Sequence, residues 1–193
     1  MVNGSDDELA YKIVIDAGHG WAKDTGGDPG AVNGEYYESV AALAIAKKLK
    51  TRLVENGYKV KMTRTGGDKD LSLAERCKIA NDWGADCFVS LHLNAAANKD
   101  AKGAETWRYT NVGNTTKRLA DNVQKQLIAA TGAVNRGVRS TTAFYILKHT
   151  KMPAVLCEVG FLSNNAEAKK LHSATYQSKI AEGITKGIRA VLK

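Results

Sequence analysis

The sequence predicts an α/β fold, a single domain in which a twisted, mostly parallel central sheet of about six strands is flanked by helices on both faces. Short apolar, β-branched runs alternate along the chain with longer segments whose apolar residues recur every three or four positions. The 193 residues include only two prolines and no low-complexity tract or fixed repeat. Because 44% of them are apolar, one domain can bury a substantial core.

The first half of the chain contains three segments with clear periodicity. Lys12 to Asp16 is an apolar, β-branched run that ends in Gly-His-Gly, which predicts a buried strand followed by a tight loop. Between Glu38 and Val54 apolar residues recur every three or four positions, so we expect an amphipathic helix that stops near Gly57. Tyr58 to Arg64 alternates apolar and basic residues, as a half-exposed strand does.

The second half continues the alternation of helices and strands. Ser72 and Glu75 match a capping box and open a helix that should run to about Trp83 and end at Gly84. The later segments are, in order, strands at Cys87–Leu93 and Ala104–Tyr109, a helix with Leu119, Val123, Leu127 and Ala130 on one face and Gly132 at its end, strands at Ala143–Leu147 and Ala154–Val159, and a last helix with Ile180, Ile184, Ile188 and Leu192. This order favours a parallel sheet whose edge strands can run antiparallel.

The chain start differs in character from the rest. Residues 1–10 are polar and acidic, so we expect a disordered leader or linker remnant, followed by one folded domain over 11–193. Residues 1–10 lack a basic start followed by an apolar run, so we expect no secretory signal peptide in this segment. No apolar stretch is long enough to span a bilayer, and we expect no membrane partner.

Net charge and cysteine content restrict the classes of partner. A net charge of +8 favours anionic partners, but the lysines are scattered and no nucleic-acid recognition motif is present. We therefore expect a solvated basic surface and no nucleic-acid partner. The three cysteines are odd in number and form no Cys-x-x-Cys pair, which indicates buried free thiols rather than disulfides at Cys77, Cys87 and Cys157.

Three predicted strands end near a residue that can bind a metal ion or move a proton. His19 follows the first strand, His92 lies near the end of the strand that begins at Cys87, and Glu158 lies at the end of the strand that begins at Ala154. In open α/β sheets, functional sites gather at the carboxyl ends of the strands, so these side chains can meet at one edge. A carboxylate there must be paired, exposed in a cleft or bound to metal, since an unpaired buried charge is costly.

Each of these residues has a structural alternative when it is taken alone. A single histidine after a strand is more often a hydrogen-bonded structural residue than a ligand, and Glu158 alone is equally compatible with a structural salt bridge. Neither Gly-rich segment near the start of the chain fits a phosphate-loop pattern. His149 and His172 are expected at the surface, and Cys157 in the core because it points away from its neighbour Glu158.

Six segments in a fixed order narrow these alternatives. They are IVIDAGHG at 13–20, ESVAALAIAKKL at 38–49, SLAERCKIAN at 72–81, VSLHLNA at 89–95, NRGVRSTTAFYILKHTKMPAVLCEVGFLSN at 135–164 and YQSKIAEGITKGI at 176–188. The pattern resembles the zinc-dependent N-acetylmuramoyl-L-alanine amidases of type 3, which include spore-lytic enzymes, phage endolysins and autolysins. The resemblance covers Lys12 to Lys193. It implies a zinc-hydrolase/phosphorylase-like fold, with the zinc amidase catalytic domain at 11–193.

The resemblance implies a site with one zinc ion per chain. Carried over position by position, the family's zinc ligands fall on His19, Glu38 and His92, and its catalytic glutamate falls on Glu158. Glu38 is assigned by its distance to the following LAIA run; taken alone it would be a solvated helix residue. Glu35 lies close to it but does not keep that distance.

Two imidazoles and one carboxylate match the ligand set of catalytic zinc, which leaves a fourth position for water and lowers the pKa of that water. Glu158 would take the proton of the water and pass it to the departing nitrogen. The resemblance implies that the bond joins the lactyl group of N-acetylmuramic acid to L-alanine; the ligand set alone would serve any amide. The alternatives are a zinc carboxypeptidase or endopeptidase that acts on wall stem peptides, and a non-catalytic wall-binding module.

Four residues near the predicted site are candidates for substrate binding: Asn94, Arg139, Trp21 and Tyr37. Asn94 takes the family's polar position two residues after the second histidine, and the aromatic residues could form a rim for sugar or peptide. Arg136 and Arg139 lie in a matched segment and could contact peptide carboxylates. A surface or structural role is an equal alternative for both arginines.

The resemblance also implies partners and a place of action. We expect a monomer that acts on peptidoglycan at the bacterial cell wall, after secretion or release by lysis, with anionic wall polymers as further partners. In some periplasmic relatives, a helix inserted near the second zinc histidine blocks the cleft. The stretch from Ala95 to Thr106 is too short for such a helix, so we expect a site that is open without an activator.

Overall fold

The α/β architecture is confirmed by the computed structural model, which describes residues 10–22, 26–66 and 70–193. The predicted leader at 1–10 lies outside the described residues, apart from Ala10. The elements are β1 (Lys12–Ala17), β2 (Gly20–Ala22), β3 (Gly26–Asp28), β4 (Val32–Asn33), β5 (Tyr36–Tyr37), α1 (Glu38–Glu55), β6 (Lys59–Met62), α2 (Leu73–Trp83), β7 (Cys87–Asn94), β8 (Ala104–Tyr109), α3 (Asn114–Thr131), β9 (Asn135–Thr141), α4 (Tyr145–His149), β10 (Ala154–Phe161), α5 (Asn165–Leu171) and α6 (Ala174–Arg189).

Six strands form the central sheet, in the order β6-β1-β7-β10-β8-β9. The first four are parallel, β8 runs antiparallel to β10, and β9 is parallel to β8. The expectation that edge strands can run antiparallel therefore holds for the edge strand β9 but not for the edge strand β6. The change of direction already occurs at β8, the neighbour of β9 inside the sheet. Between β1 and α1, two short hairpins, β2-β3 and β4-β5, carry the chain past the end of the sheet.

Two local predictions are wrong or incomplete. Ala143–Leu147 is not a strand, since Tyr145–His149 forms the short helix α4, whose Ile146 and Leu147 are buried. A short apolar run has no periodicity that separates a strand from a helical turn. The edge strand β9 was not anticipated because its sequence, NRGVRST, lacks apolar alternation. The helix α5 was missed because its seven mostly polar residues are too few to show a helical apolar period.

The two faces of the sheet bury separate cores. The larger core lies against α1, α3 and α6 and takes alternate strand residues such as Val89 and Cys157. The smaller core lies against α2 and α4 and takes the residues that point the other way, such as Phe88 and Leu156. The expectation that Cys157 belongs to the core is confirmed.

The face against α2 and α4 changes from apolar to polar along the strands. In β7, Phe88 is followed at two-residue steps by Ser90 and His92, and in β10 Leu156 is followed by Glu158. Glu158 lies beside His92 in the parallel register of these strands. The polar ends of these rows therefore share one face at the carboxyl edge of the sheet.

The predicted helix signals and free thiols are present. The Ser72 side chain accepts a hydrogen bond from the backbone N–H of Glu75, whose carboxylate accepts from the Ser72 N–H, and α2 ends at Gly84 with φ of 62°. Cys77, Cys87 and Cys157 are buried and free. None of the described helices combines the length and apolar content that crossing a bilayer requires.

Candidate metal centre

Three side chains from separate elements converge at the carboxyl edge of the sheet. His19 Nε2 lies 3.1 Å from Glu38 Oε1, and His92 Nδ1 lies 3.0 Å from the same oxygen. One ligand atom from each residue lies within 4.8 Å of the others. In a tetrahedral site with bonds of about 2.0–2.1 Å the ligand atoms lie roughly 3.3 Å apart, close to the two separations from Glu38 Oε1, so this donor set could hold a metal ion.

His19 is held in a strained backbone conformation. Its φ of 58° is the only positive value among the described residues other than glycine. Such values cost energy for a side chain with a Cβ and persist only where the surroundings impose them. Asp28 Oδ2 lies 2.6 Å from His19 Nδ1, so a carboxylate orients the ring and leaves Nε2 aimed at Glu38.

Glu38 is the first residue of α1 and is 4% exposed. Its Oε1 accepts a hydrogen bond from the N–H of Leu93 at 2.9 Å, and its Oε2 accepts from the N–H of Ala31 at 2.8 Å. These bonds fix the carboxylate beside the histidines. Glu35, the competing candidate, is exposed outside this cluster.

Two glycines allow the ligands to approach one another. A Cβ on Gly18 would lie 2.5–2.7 Å from three atoms of the His92 ring. A Cβ on Gly30, whose φ is +68°, would lie 2.6 Å from Glu38 Oε2 and 2.7 Å from His19 Cδ2. Any larger residue at these positions would displace a candidate ligand.

Two buried arginines hold the backbone that carries His19. Arg64 donates to the carbonyl oxygens of Ala17 and Gly18, both at 2.9 Å. Arg76 donates to the carbonyl oxygens of Ala17 and His19, also both at 2.9 Å. It also pairs with the buried Asp16 carboxylate at 2.8 Å. Neither arginine has a sequence signal of its own, although Arg76 lies within the SLAERCKIAN segment.

The metal-free ligand set retains a proton. Burial of His19 opposes its charged form, but the hydrogen bonds and charges of Glu38 and Asp28 outweigh burial and raise the pKa of His19 to about 9. Burial likewise opposes the charge on Glu38, and the two histidines nevertheless hold the pKa of Glu38 well below its usual range. A metal ion must therefore displace a proton from His19.

Glu158 lies on β10 next to this cluster. Its Oε2 atom is buried and has no hydrogen-bond partner among the described residues. Burial raises the pKa of Glu158 to about 7, and the charges of Glu38 and Glu105 act in the same direction. An unpaired carboxyl group beside a candidate metal centre, with a pKa close to neutrality, is suited to proton transfer.

Glu105 is a second buried carboxylate near Glu158 that sequence analysis missed. It faces Glu158 directly across the antiparallel pair β8-β10 and is 3% exposed. Asn94 Nδ2 and Trp107 Nε1 both donate to its Oε1, at 3.2 Å and 3.0 Å. Arg139 Nε donates to its Oε2 at 2.9 Å. Two of the predicted substrate-binding residues, Asn94 and Arg139, thus lie together around Glu105.

Comparison with known proteins identifies the family. Residues 13–190 match the family model described as N-acetylmuramoyl-L-alanine amidase. The chain belongs to this amidase family. A crystal structure of an N-acetylmuramoyl-L-alanine amidase from Clostridium difficile 630 superimposes with a TM-score of 0.87 at 36% identity, over 94% of this chain and 96% of that one. The predicted amidase resemblance and fold are thereby confirmed.

Two amidases of Bacillus subtilis are among its relatives in sequence. The chain is 39% identical over 176 residues to N-acetylmuramoyl-L-alanine amidase LytC, covering 91% of this chain and 34% of LytC. It is 35% identical over 179 residues to the sporulation-specific N-acetylmuramoyl-L-alanine amidase, covering 92% of this chain and 66% of that relative. The chain therefore spans one third to two thirds of the length of these two amidases.

Two of the predicted substrate-binding residues, Tyr37 and Trp21, remain to be placed relative to the candidate metal centre. Tyr37 is half-buried directly before Glu38, and its carbonyl oxygen lies 3.2 Å from His172 Nε2. The His172 ring also packs against Tyr36, with ring centroids 4.7 Å apart. His172 is thus only partly exposed and joins α5 to the start of α1, so the expectation of a surface residue is only partly right. The side chain of Trp21 lies outside the described part of the chain.

Proposed function

We propose that this chain hydrolyses the amide bond between the lactyl group of N-acetylmuramic acid and L-alanine in peptidoglycan. One observation carries the proposal: two imidazoles and a carboxylate converge beside an unpaired glutamate in a chain of the amidase family. A zinc carboxypeptidase or endopeptidase would use the same kind of ligand set, but the family match does not support this alternative. We infer that the chain acts at the bacterial cell wall, with peptidoglycan as its partner.

We infer that His19, Glu38 and His92 hold one zinc ion per chain. Two nitrogen donors and one oxygen donor suit zinc better than calcium or magnesium, which prefer oxygen ligands alone. A zinc ion held there supplies Lewis acidity, which polarises a carbonyl group and lowers the pKa of water. Asp28 orients His19, and the Leu93 and Ala31 N–H groups orient Glu38, so the ligands are arranged before the metal arrives.

Glu158 is the proposed general base and acid. Its carboxylate takes a proton from the attacking water and delivers it to the departing amide nitrogen, so the amine leaves neutral. A pKa of about 7, raised by burial, suits both transfers near neutral pH. Such a group typically contributes about 10²–10⁴-fold to the rate.

We expect the cleft to be open without an activator. The chain between Asn94 and Ala104 contains no helix in the described structure and consists of turns, bends and irregular segments. The net charge of +8 would favour approach to anionic wall polymers. We also expect the chain to act as a monomer.

The proposed function is tested by mass spectrometry of digested wall sacculi. New muramic lactyl carboxyl groups paired with new L-alanine amino termini support the amidase, whereas trimmed stem peptides would support the peptidase alternative. Glu38→Gln should lose both zinc and activity, while Glu35→Gln, three residues away and exposed, should keep both. Glu158→Gln should keep zinc and lose hydrolysis. A Glu158→Gln variant near the wild-type rate contradicts the assigned role.

A further inference from the structure

We propose that Arg136 and Arg139 form a carboxylate-binding subsite, mounted on Glu105, that selects stem peptides with a free carboxylate close to the scissile bond. The proposal rests on the amidase function proposed above, because the scissile bond is defined by that function. It assigns a substrate class to the site: peptides whose residue after L-alanine carries a free α-carboxylate rather than an amide. Glu105 is a positioning residue in this proposal, since it acts through the two arginines.

Both arginines are anchored by one edge of the guanidinium group. Arg136 Nε and Arg139 Nε donate to Glu105 Oε2 at 3.0 Å and 2.9 Å. Their terminal nitrogens make no hydrogen bond to any residue that the structure describes. The Arg136 and Arg139 side chains are 34% and 45% exposed, while that of Glu105 is 5% exposed. The buried carboxylate therefore holds two half-exposed guanidinium groups with their donor ends open.

An aromatic ring lies beside each of the two guanidinium groups. The Arg136 guanidinium carbon lies 4.8 Å from the centroid of Phe161, and that of Arg139 lies 6.0 Å from the centroid of Trp107. Cation–π contacts of this kind restrict side-chain rotation, more for Arg136 than for the more distant Arg139, and so reduce the entropy lost when a ligand binds. This arrangement suits recognition of a planar carboxylate by paired N–H donors.

An irregularity in β9 lets both arginines reach the same carboxylate. Residues three apart in a regular strand point to opposite faces of a sheet. In β9 the register shifts between the partners of Ala104 and Thr106, and Gly137 adopts a φ of +82°. The Gly137 N–H also donates to Asn135 Oδ1 at 2.9 Å. Such a bulge redirects a side chain, and here it brings Arg136 and Arg139 onto one face.

Glu105, which anchors the subsite, lies one strand away from the proposed acid and base, and the two arginines reach it from the next strand, β9. Glu105 and Glu158 are directly opposed across β8 and β10, where Cβ atoms are about 5 Å apart. A carboxylate on the residue after L-alanine lies within about two Cα steps, or roughly 7.6 Å, of the scissile bond. A peptide aligned with that bond beside Glu158 can therefore reach the open ends of the arginines.

The charge balance of the cluster favours an anion. Two guanidinium groups face one carboxylate, so the cluster carries a net charge of +1 that a ligand carboxylate would neutralise. An α-amide keeps one acceptor oxygen but carries no charge, and it brings its NH2 group towards the N–H donors of the arginines. Charge-assisted pairs of this kind correspond to a preference of about tenfold to hundredfold for the free acid.

The test compares N-acetylmuramoyl-L-alanyl-D-glutamate with its α-amide. Wild-type protein should hydrolyse the free acid with a kcat/KM about tenfold to hundredfold higher. Arg139→Gln should bring this ratio close to one by slowing the free acid alone, and Arg139→Lys should retain part of it. The fold should tolerate Arg139→Gln because Glu105 keeps three donors: Asn94, Trp107 and Arg136.

The control is Arg118→Gln. Arg118 is exposed on α3, and this helix packs on the opposite face of the sheet from Glu105, where Thr106 donates a hydrogen bond to Gln124. This variant should retain the full preference. The subsite is refuted if wild type treats both substrates alike, or if Arg139→Gln slows both equally and leaves the ratio unchanged.

A binding experiment separates this proposal from the proposed function. The two ligands are titrated into the Glu158→Gln protein by calorimetry, with poly(glycerol phosphate) as a competitor. The subsite is supported if the Glu158→Gln protein binds the free acid more tightly than the amide and the Glu158→Gln/Arg139→Gln protein loses this difference. That conclusion holds even if the wild-type protein hydrolyses neither substrate. Failure of the wild-type protein to hydrolyse either substrate would overturn the proposed function alone. Equal binding of acid and amide, with displacement by the phosphate polymer, would overturn the subsite in favour of a wall-polymer contact.

Discussion

A single added methyl group at Gly18 should be enough to disrupt metal binding. In Gly18→Ala the added Cβ would lie 2.5 Å from His92 Cε1, 2.6 Å from Nε2 and 2.7 Å from Nδ1, whereas ordinary contact begins near 3.4 Å. The ring must therefore move by roughly 1 Å. Metal–ligand distances tolerate deviations of only about 0.2 Å, so the displaced Nδ1 can no longer share a metal ion with Glu38.

The expected loss of zinc affinity in Gly18→Ala is at least tenfold to hundredfold, the range typical when the support of a metal ligand is removed. The backbone itself should accept alanine, because Gly18 does not have a positive φ. The remaining cost is overpacking, about 1–3 kcal/mol of unfolding free energy. The variant should thus fold, melt several degrees lower and bind zinc poorly.

The assay is competition for zinc against a chromophoric chelator, together with thermal melting of the metal-free proteins. The matched control is Gly113→Ala, since a Cβ on Gly113 meets no atom within 4 Å and the site lies at the start of α3. This control should keep wild-type zinc affinity. If Gly18→Ala binds zinc within twofold of wild type, the ring is not confined as described and the reasoning is refuted.

Three further predictions concern charges around the centre. The pKa of metal-free His19 is raised to about 9, so zinc binding between about pH 7 and 8 should release roughly one proton from His19. The zinc affinity should therefore rise about tenfold per pH unit. Calorimetry in buffers of different ionisation enthalpy measures the proton release, and a pH-independent zinc affinity would contradict the prediction. Asp28→Asn should weaken zinc binding by about tenfold to hundredfold, while Asp82→Asn, in an exposed ion pair, should not. Arg76→Met should cost about 3–5 kcal/mol in urea unfolding, since it leaves the Asp16 charge buried without its partner; a loss below about 1 kcal/mol would argue against that role.

Much of the fold was predictable because periodicity and caps act locally. The apolar runs that became β1, β7 and β10 each carry a residue of the candidate site near the carboxyl end, so the meeting of His19, His92 and Glu158 follows from the parallel sheet. Glu38 could be assigned only through the family resemblance, because its position at the start of a helix has no distinguishing local signal.

The features that escaped prediction depend on long-range contacts. Glu105 lies within AETWRY, and its importance appears only when β8 is paired with β10 and β9. Arg64 and Arg76 have ordinary sequence surroundings, yet both are buried because they satisfy backbone carbonyls of the loop at His19. The polar bulged edge β9 offers no alternation to detect. Pairing partners of this kind are set by tertiary structure.

Because side chains alternate between the two faces along β10, the site tolerates a change in the length of this strand less well than a change in the length of a loop. Glu158 shares its row with Leu156, whereas its neighbours Cys157 and Val159 point into the larger core. Deleting one residue before Glu158 would turn the carboxylate into that apolar core and present a thiol or a valine to the metal centre. Variation in length among functional relatives should therefore be confined to connections such as residues 95–103, and the strands that carry the ligands should keep their count of residues.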